Sequence, residues 1–181
     1  SERAVGASLR TLFEQAGKRR IIIATFASNV HRVQQIIDQA ESLGRKVALS
    51  GRSLENVVEI GSRLGYLNVK EGELVSIDMI NKYPDDKMVI ITTGSQGEPM
   101  SALSRMASGH RKVSIGPNDC IIISANPIPG NEKTVGNVIN ELMKLGADVI
   151  YEKSYGVHVS GHACQEELKL MMGIIKPKFF I

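Results

Sequence analysis

The sequence predicts an α/β fold, in which a mostly parallel β-sheet is covered by helices on both faces. Short apolar runs, such as residues 21–26 and 88–91, contain almost no charged residue. Such runs are typical of strands that are buried on both faces of a parallel sheet. Segments with apolar residues at helical spacing follow these runs in alternation, and this order favours parallel strands joined by crossover helices. A chain of 181 residues fits a single domain, residues 1–181.

Start and stop signals bound the predicted elements in order. Gly17, Gly44 and Gly65 end the first three helices, because glycine is the common residue just beyond a helix. The predicted helices cover residues 3–17, 29–43, 52–64, 100–108, 134–145 and 165–172. The predicted strands cover residues 21–26, 46–49, 87–93, 120–125, 148–152, 157–159 and 178–181. The pattern is weaker over residues 66–87, where we predict a short strand or loop, a short helix at about 76–82 and a turn at 84–86.

Composition excludes several classes of protein. Apolar residues make up 43% of the chain and charged residues 23%, which suits a folded core and not a disordered chain. No apolar run approaches the roughly 20 residues that span a bilayer, so we expect no membrane association. The two cysteines, Cys120 and Cys164, are too few for a disulfide framework, which favours a reducing cytoplasm. The chain lacks an initial Met and ends on an apolar run, so we expect a domain excised from a longer protein.

Charge and aromatic content set weaker limits on the partner. The net charge of +3 permits a phosphate-bearing partner but does not require one. The chain has no Trp, four Tyr and four Phe. A surface that binds single strands mainly by stacking bases on aromatic rings is therefore poorly supported.

Four loops at the predicted carboxyl ends of strands are candidates for a ligand site. They cover residues 25–29, 92–99, 125–131 and 159–163, and all are rich in Ser, Thr, Asn, Gly or His. Three of them lead directly into helices, whose N-terminal amides favour phosphate. Ligands of open parallel sheets bind at this edge. The glycine-rich loop at 94–98 lacks both nucleotide-binding patterns, and a helix start that uses glycine for turning is the alternative.

Three histidines remain open in role on this reasoning alone. His158 and His162 are four residues apart, a spacing that would place both on one face only in a helix. Gly161 and the neighbouring valines indicate a strand and turn instead, which disfavours a zinc site. A hydrogen-bonding role in the turn and a role with phosphate or a proton both stay open. His31 follows a phosphate-like loop, and a solvated helix position is its alternative.

Three segments, in their order and spacing, resemble bacterial ribonuclease J. They are residues 25–32 (Thr-Phe-Ala-Ser-Asn-Val-His-Arg), 92–99 (Thr-Thr-Gly-Ser-Gln-Gly-Glu-Pro) and 158–163 (His-Val-Ser-Gly-His-Ala), with 124–131 (Ser-Ala-Asn-Pro-Ile-Pro-Gly-Asn) between the last two. The chain is similar over its whole length to the β-CASP domain of that family. This domain is a Rossmann-like insert within a metallo-β-lactamase fold.

The resemblance implies a parent enzyme that cleaves RNA with zinc. Such enzymes act as endonucleases and 5′-to-3′ exonucleases in RNA decay and in the processing of RNA, including rRNA. Their metallo-β-lactamase domain holds two zinc ions that activate a water molecule, and the β-CASP domain closes the other side of the RNA channel. The implied partners are single-stranded RNA and the protein's own metallo-β-lactamase domain, and a homo-oligomer of the full-length protein stays open.

The resemblance also implies roles for individual residues. His162 would hydrogen-bond the scissile phosphate or assist proton transfer to the leaving oxygen, as the candidate catalytic residue. His158, Ser160 and Gly161 would bind a nucleotide phosphate beside it. The path of the RNA backbone would be lined by Gly94, Ser95, Gln96, Ser28, Asn29 and His31.

One departure from the family limits what this chain can do alone. The sequence contains no His-x-His-x-Asp-His cluster, which supplies most of the zinc ligands in the family. We therefore expect no metal ligands within the chain, zinc bound by residues outside it, and no ribonuclease activity of the fragment. Two alternatives remain: a standalone domain that binds a nucleotide or phosphosugar, and a small α/β enzyme that uses His162 as a base without metal.

Overall fold

The computed structural model describes residues 2–109, 112–151 and 163–179. Within them the helices are α1 (Glu2–Ala16), α2 (Val30–Ser42), α3 (Arg52–Arg63), α4 (Ala102–Ala107), α5 (Glu132–Lys144) and α6 (Gln165–Ile175). The strands are β1 (Arg20–Ala24), β2 (Lys46–Ser50), β3 (Leu74–Val75), β4 (Met88–Thr92), β5 (Asp119–Ile123) and β6 (Asp148–Ile150). Two 3-10 helices, Ile77–Lys82 and Asp85–Lys87, lie between β3 and β4. The predicted α/β class is confirmed.

The strands form one parallel sheet in the order β3-β2-β4-β1-β5-β6. Every residue of β1, β4 and β5 is buried, as their uninterrupted apolar sequences predicted. These three strands are neighbours at the centre of the sheet. The loops that leave these three strands therefore start side by side.

Helices cover both faces of the sheet, also as predicted. Ile21 and Ile23 point to one face, where they pack with apolar residues of α1, α2 and α3. Ile22 and Ala24 point to the other face and join the core under α4 and α5. The alternation follows from the two-residue period of a strand, so a single isoleucine run contributes to both halves of the core.

Several predicted boundaries differ from the observed ones. The helix predicted at about 76–82 is a 3-10 helix. Helix α4 starts at Ala102, later than the predicted residue 100, because Ser101 Oγ accepts the Ser104 N–H and caps it there. The strand predicted at 178–181 is wrong over its described part, since residues 178 and 179 pair with no described strand. The strand predicted at 157–159 lies outside the described residues.

Helix α6 differs from the others because all of its residues are exposed. It presents large apolar side chains to solvent, including Leu170 at 63% and Ile174 at 70% exposure. Its length and polarity do not meet the requirements of a bilayer span, and the same holds for every helix in the described part of the chain.

Candidate functional site at the carboxyl edge of the sheet

The three central strands β4, β1 and β5 end side by side at the carboxyl edge of the sheet. Helix α2, which follows β1, packs on one face, whereas α4 and α5, which follow β4 and β5, pack on the other. When helices leave neighbouring strand ends toward opposite faces, a crevice opens between their loops. The loops at residues 25–29, 93–101 and 124–131 therefore surround one crevice. This confirms that three of the predicted loops share an edge.

A buried arginine joins two sides of this crevice. Arg32 lies in the first turn of α2 and is fully buried. Its Nη1 donates a hydrogen bond to Ser124 Oγ, just beyond the end of β5. Neither was among the predicted site residues, although both lie in the motif segments 25–32 and 124–131. The available signal was a charged residue on the apolar face of α2, four residues before the buried Ile36.

Thr25 is a third residue of the crevice that was not among the predicted site residues. It directly follows β1, and its N–H donates to the Thr92 carbonyl at 3.1 Å. Its Oγ1 is buried and has no hydrogen-bond partner among the described residues. A buried hydroxyl without a partner is unfavourable, so this oxygen is an unfilled hydrogen-bonding group at the floor of the crevice.

The predicted residues of the first loop divide into exposed and structural ones. Ser28 and His31 are exposed. Asn29 is half-buried, and its Oδ1 accepts the Arg32 N–H at 3.1 Å, which caps α2. His31 also lines an apolar groove of about 300 Å³ together with Ile60 and Tyr66. Ser28 and His31 are therefore the two side chains of this loop that an approaching ligand can reach.

The predicted residues of the second loop lie inside the fold. Gly94 is buried, and Ser95 and Gln96 are only 2% and 4% exposed. The Gln96 amide is hydrogen-bonded to the third loop. Its Nε2 donates to the Asn126 carbonyl at 2.9 Å, and its Oε1 accepts the Ile128 N–H at 2.7 Å. These residues shape the crevice from within.

The remaining predicted site residues are not covered. His158, Ser160, Gly161 and His162 lie outside the described residues, and their roles stay predictions. Within the described ranges, no group of three or more His, Cys, Asp or Glu side chains could hold a metal ion. The side chains described do not fit a two-zinc centre.

Cys120 lies in β5 within the core of the sheet. Burial raises the pKa of its thiol to about 11, so the thiol is protonated at neutral pH. A protonated, buried thiol is neither a nucleophile nor a good metal ligand. Cys120 is a core residue, as its position before an apolar run predicted.

Comparison with known proteins gives consistent matches. The family described as "Ribonuclease J, beta-CASP domain" matches residues 18–142. A ribonuclease J of Helicobacter pylori strain J99 is 49% identical over 182 aligned residues, which cover 100% of this chain and 26% of that protein. A ribonuclease J of Thermus thermophilus is 50% identical over 90% of the chain, and ribonuclease J2 of Bacillus subtilis 168 is 44% identical over 91%. The chain spans 28% and 30% of the lengths of these last two relatives.

Proposed function

Because the chain belongs to the β-CASP domain family of ribonuclease J, we propose that it is the RNA-binding part of a larger zinc-dependent ribonuclease. The crevice at the carboxyl ends of β4, β1 and β5 is the observation that carries the proposal. Its loops offer hydroxyl, amide and backbone groups, and their side chains between residues 25 and 29 are uncharged. Such groups contact the phosphates and sugars of a nucleic acid without reading its bases. The chain then holds RNA of many sequences in one path.

The described residues contribute to this path in two ways. Ser28 and His31, which are exposed, contact backbone phosphates directly. Three buried residues act through the shape of the loops: Gly94, Ser95 and Gln96. Asn29 caps α2, so that the first N–H groups of this helix face the crevice. A path built in this way binds mainly through phosphate contacts, which gives little sequence preference.

The residues outside the described ranges complete the proposal by their resemblance to the family. His158, Ser160 and Gly161 bind a nucleotide phosphate, and His162 hydrogen-bonds the scissile phosphate or delivers a proton to the leaving oxygen. In the full-length protein, zinc bound to residues outside this chain supplies the activated water. We place the protein in the cytoplasm, where it acts as an endonuclease and 5′-to-3′ exonuclease in RNA processing and decay.

Binding of RNA at several salt concentrations tests the proposal on this chain. Two labelled single-stranded RNAs of different sequence are titrated with it, and fluorescence anisotropy gives the dissociation constants. Both affinities are expected to be similar and to fall as salt rises, because basic residues of this chain, whose net charge is +3, release counterions when they neutralise phosphates. Salt-insensitive binding of a single nucleotide or phosphosugar, without RNA binding, would instead support a standalone metabolite-binding domain.

Two histidine variants of the full-length protein separate binding from chemistry. His162→Ala is expected to lower kcat by at least a hundredfold, as loss of a proton-transfer group does, with little change in KM. His31→Ala is expected to raise KM several-fold and leave kcat nearly unchanged. Unchanged turnover in His162→Ala would contradict the role proposed for that residue.

The isolated chain is proposed to be inactive, because its sequence lacks the His-x-His-x-Asp-His cluster. Incubating labelled RNA with the purified chain, with added zinc and with a chelator, tests this directly. No cleavage is expected in either sample. Cleavage that the chelator abolishes would mean that the chain holds a working metal site of its own.

A further inference from the structure

We infer that Gln96 is a positioning residue that fixes a loop of the RNA path through hydrogen bonds to its backbone. The inference rests on the proposed RNA-binding function of the crevice. It concerns two segments: the glycine turn (residues 94–97), after β4, and the proline loop (residues 126–131), after β5. Gln96 joins them at the carboxyl edge.

The hydrogen bonds of Gln96 reach both ends of the proline loop. Nε2 donates to the Asn126 carbonyl at 2.9 Å, and Oε1 accepts the Ile128 N–H at 2.7 Å. Asn131 Nδ2 also approaches Oε1 at 3.4 Å. Gln96 itself is only 4% exposed, and removal of its amide would take away the partner of the part-buried Asn126 carbonyl and Ile128 N–H.

The proline loop has few other means of holding its shape. Pro127 and Pro129 have no N–H groups to donate. Apart from the bonds to Gln96, the Asn131 N–H donates to the Ile128 carbonyl and the Gly130 N–H donates to Glu132 Oε2, both at 2.8 Å. Residues 127–130 are exposed. Its conformation therefore depends on the anchor that Gln96 provides from the neighbouring turn.

Gly97 provides independent evidence that the glycine turn and the proline loop pack together. A Cβ at this position would lie 2.8 Å from the backbone of Thr134 and Val135, in the first turn of α5. The glycine turn thus packs directly against the helix that the proline loop leads into. Such close backbone approach places Gln96 where its amide can reach the loop.

The arrangement matters for RNA because the proline loop follows β5 and lies at the carboxyl edge beside the loop after β1, which contains the exposed Ser28. A loop that is already held in its bound shape loses less conformational entropy when it contacts a ligand. Gln96 is neutral and buried, so it makes no phosphate contact that salt could screen. Loss of its hydrogen bonds should weaken RNA binding and leave the slope of affinity against salt unchanged.

Steady-state cleavage of a labelled single-stranded RNA by the full-length protein tests this. Gln96→Met keeps the length of the side chain and removes its hydrogen bonds. We expect KM to rise roughly tenfold, equivalent to about 1.4 kcal/mol of binding free energy, with kcat within about twofold of wild type. The salt dependence of KM should keep its slope.

Gln34 offers a matched control. Its Nε2 donates to the Asn68 carbonyl at 3.0 Å, and its Oε1 accepts the Asn68 N–H at 2.7 Å. It therefore makes the same pair of bonds to a backbone, on α2 and outside the crevice. Gln34→Met should leave KM within about twofold. Equal changes in KM for both variants, or no change for Gln96→Met, would overturn the inference.

A second variant keeps the test decisive if Gln96→Met folds poorly. Gln96→Glu retains an acceptor for the Ile128 N–H, and its carboxyl group can donate to the Asn126 carbonyl only when protonated. The ratio of its KM to that of wild type should therefore fall toward one as the pH is lowered from 8 to about 5. A ratio that does not vary with pH would contradict the inference. Wild-type protein that does not cleave RNA at all would refute the proposed function instead, so the two failures are distinguishable.

Discussion

The two edges of the central sheet use polar residues in opposite ways. At the amino edge, Arg20 and Asp119 begin the neighbouring strands β1 and β5 and form a buried, two-point ion pair with N–O distances of 2.7 and 2.9 Å. Arg20 Nη2 also donates to the Ser114 carbonyl, and Asp119 Oδ2 accepts the Gly116 N–H. Each of these charged groups therefore has partners within the protein.

Arg45, which directly precedes β2, makes further hydrogen bonds at the amino edge. Its guanidinium donates to the carbonyls of Gly17 and Arg19 at 2.5 and 2.8 Å, beyond the end of α1. Burial lowers its pKa from the ordinary value, but an arginine stays protonated in proteins. The positive charge therefore holds the carbonyls that follow α1.

The carboxyl edge has a different chemistry. Its buried polar residues are mostly neutral, and Thr25 Oγ1 has no partner among the described residues. Since neighbouring strands supply both edges, the difference does not come from the sheet. It indicates that the amino edge stabilises the fold, whereas the carboxyl edge is where we propose that the ligand binds.

The largest expected effect tests the buried ion pair at the amino edge. Arg20→Ala leaves the Asp119 carboxylate buried without its partner, which should lower the free energy of unfolding by about 3–5 kcal/mol. Urea denaturation of this chain, followed by circular dichroism, measures the change. Asp148→Ala is the control, because the Asp148 side chain is 52% exposed in its ion pair with Arg19 and exposed pairs contribute less than about 1 kcal/mol. Equal losses for the two variants would remove the distinction between buried and exposed pairs at this edge.

The next effect tests the close packing at the carboxyl edge. Gly97 has φ of +71°, and a Cβ would lie 2.8 Å from the backbone of Thr134. Gly97→Ala combines left-handed strain with overpacking and should cost about 3 kcal/mol of unfolding free energy. Gly130→Ala is matched in sign of φ, at +98°, but its Cβ would meet nothing within 4 Å, so it should cost only about 1 kcal/mol. Similar losses would mean that the contact with Thr134 relaxes freely.

Local patterns were enough to predict the α/β class and the central strands of the sheet. The isoleucines of β1 and β4 identify strands buried on both faces, and a parallel order then brings the loops after them to one edge. The neighbours of a residue in space could not be predicted in the same way. Arg20 and Asp119 are 99 residues apart in sequence, and no local pattern relates them.

The candidate site shows the same limit. Motifs placed Ser28, Gln96 and His31 at the carboxyl edge, but they did not distinguish exposed side chains from buried ones. The Gln96 amide points inward because its partners are backbone groups of a loop about 30 residues later. Such contacts depend on how two loops pack, which single-sequence periodicity does not report.

A smaller effect tests whether the amino end of β5 is sealed from water. Burial raises the pKa of the Cys120 thiol to about 11 from the value of 9.0 for a free thiol. Below pH 9 both the folded and the unfolded chain keep the proton. As pH rises from 9 to 11, the unfolded chain loses it first, so stability should fall by up to about 2–3 kcal/mol. Cys120→Ala should remove this part of the pH dependence, measured by urea denaturation.

Thiol labelling gives an independent check that Cys120 is inaccessible to solvent in the folded chain. Cys164 is exposed, whereas Cys120 is buried. Iodoacetamide at pH 8 should modify Cys164 in the folded chain and Cys120 only after unfolding. Equal labelling rates would show that β5 opens to solvent, and the predicted pH effect would then disappear.

The smallest effect concerns a residue of the amino side that, like Thr25, has a buried oxygen without a partner among the described residues. Glu73, just before β3, has a buried Oε1 without a partner among the described residues. Burial raises the pKa of Glu73, and nearby Lys46 partly offsets this. A raised pKa means that the carboxyl group favours folding most at low pH and loses that contribution as pH rises through the folded-state pKa.

Glu73→Gln should therefore stabilise the chain at pH 7 by less than about 1 kcal/mol and give no gain near pH 4. Glu71→Gln, at an exposed position, should change stability little at either pH. A loss of stability in Glu73→Gln at pH 7 would mean that attraction to lysines outweighs burial, and Glu73 would then belong with the closed ion pairs of the amino edge.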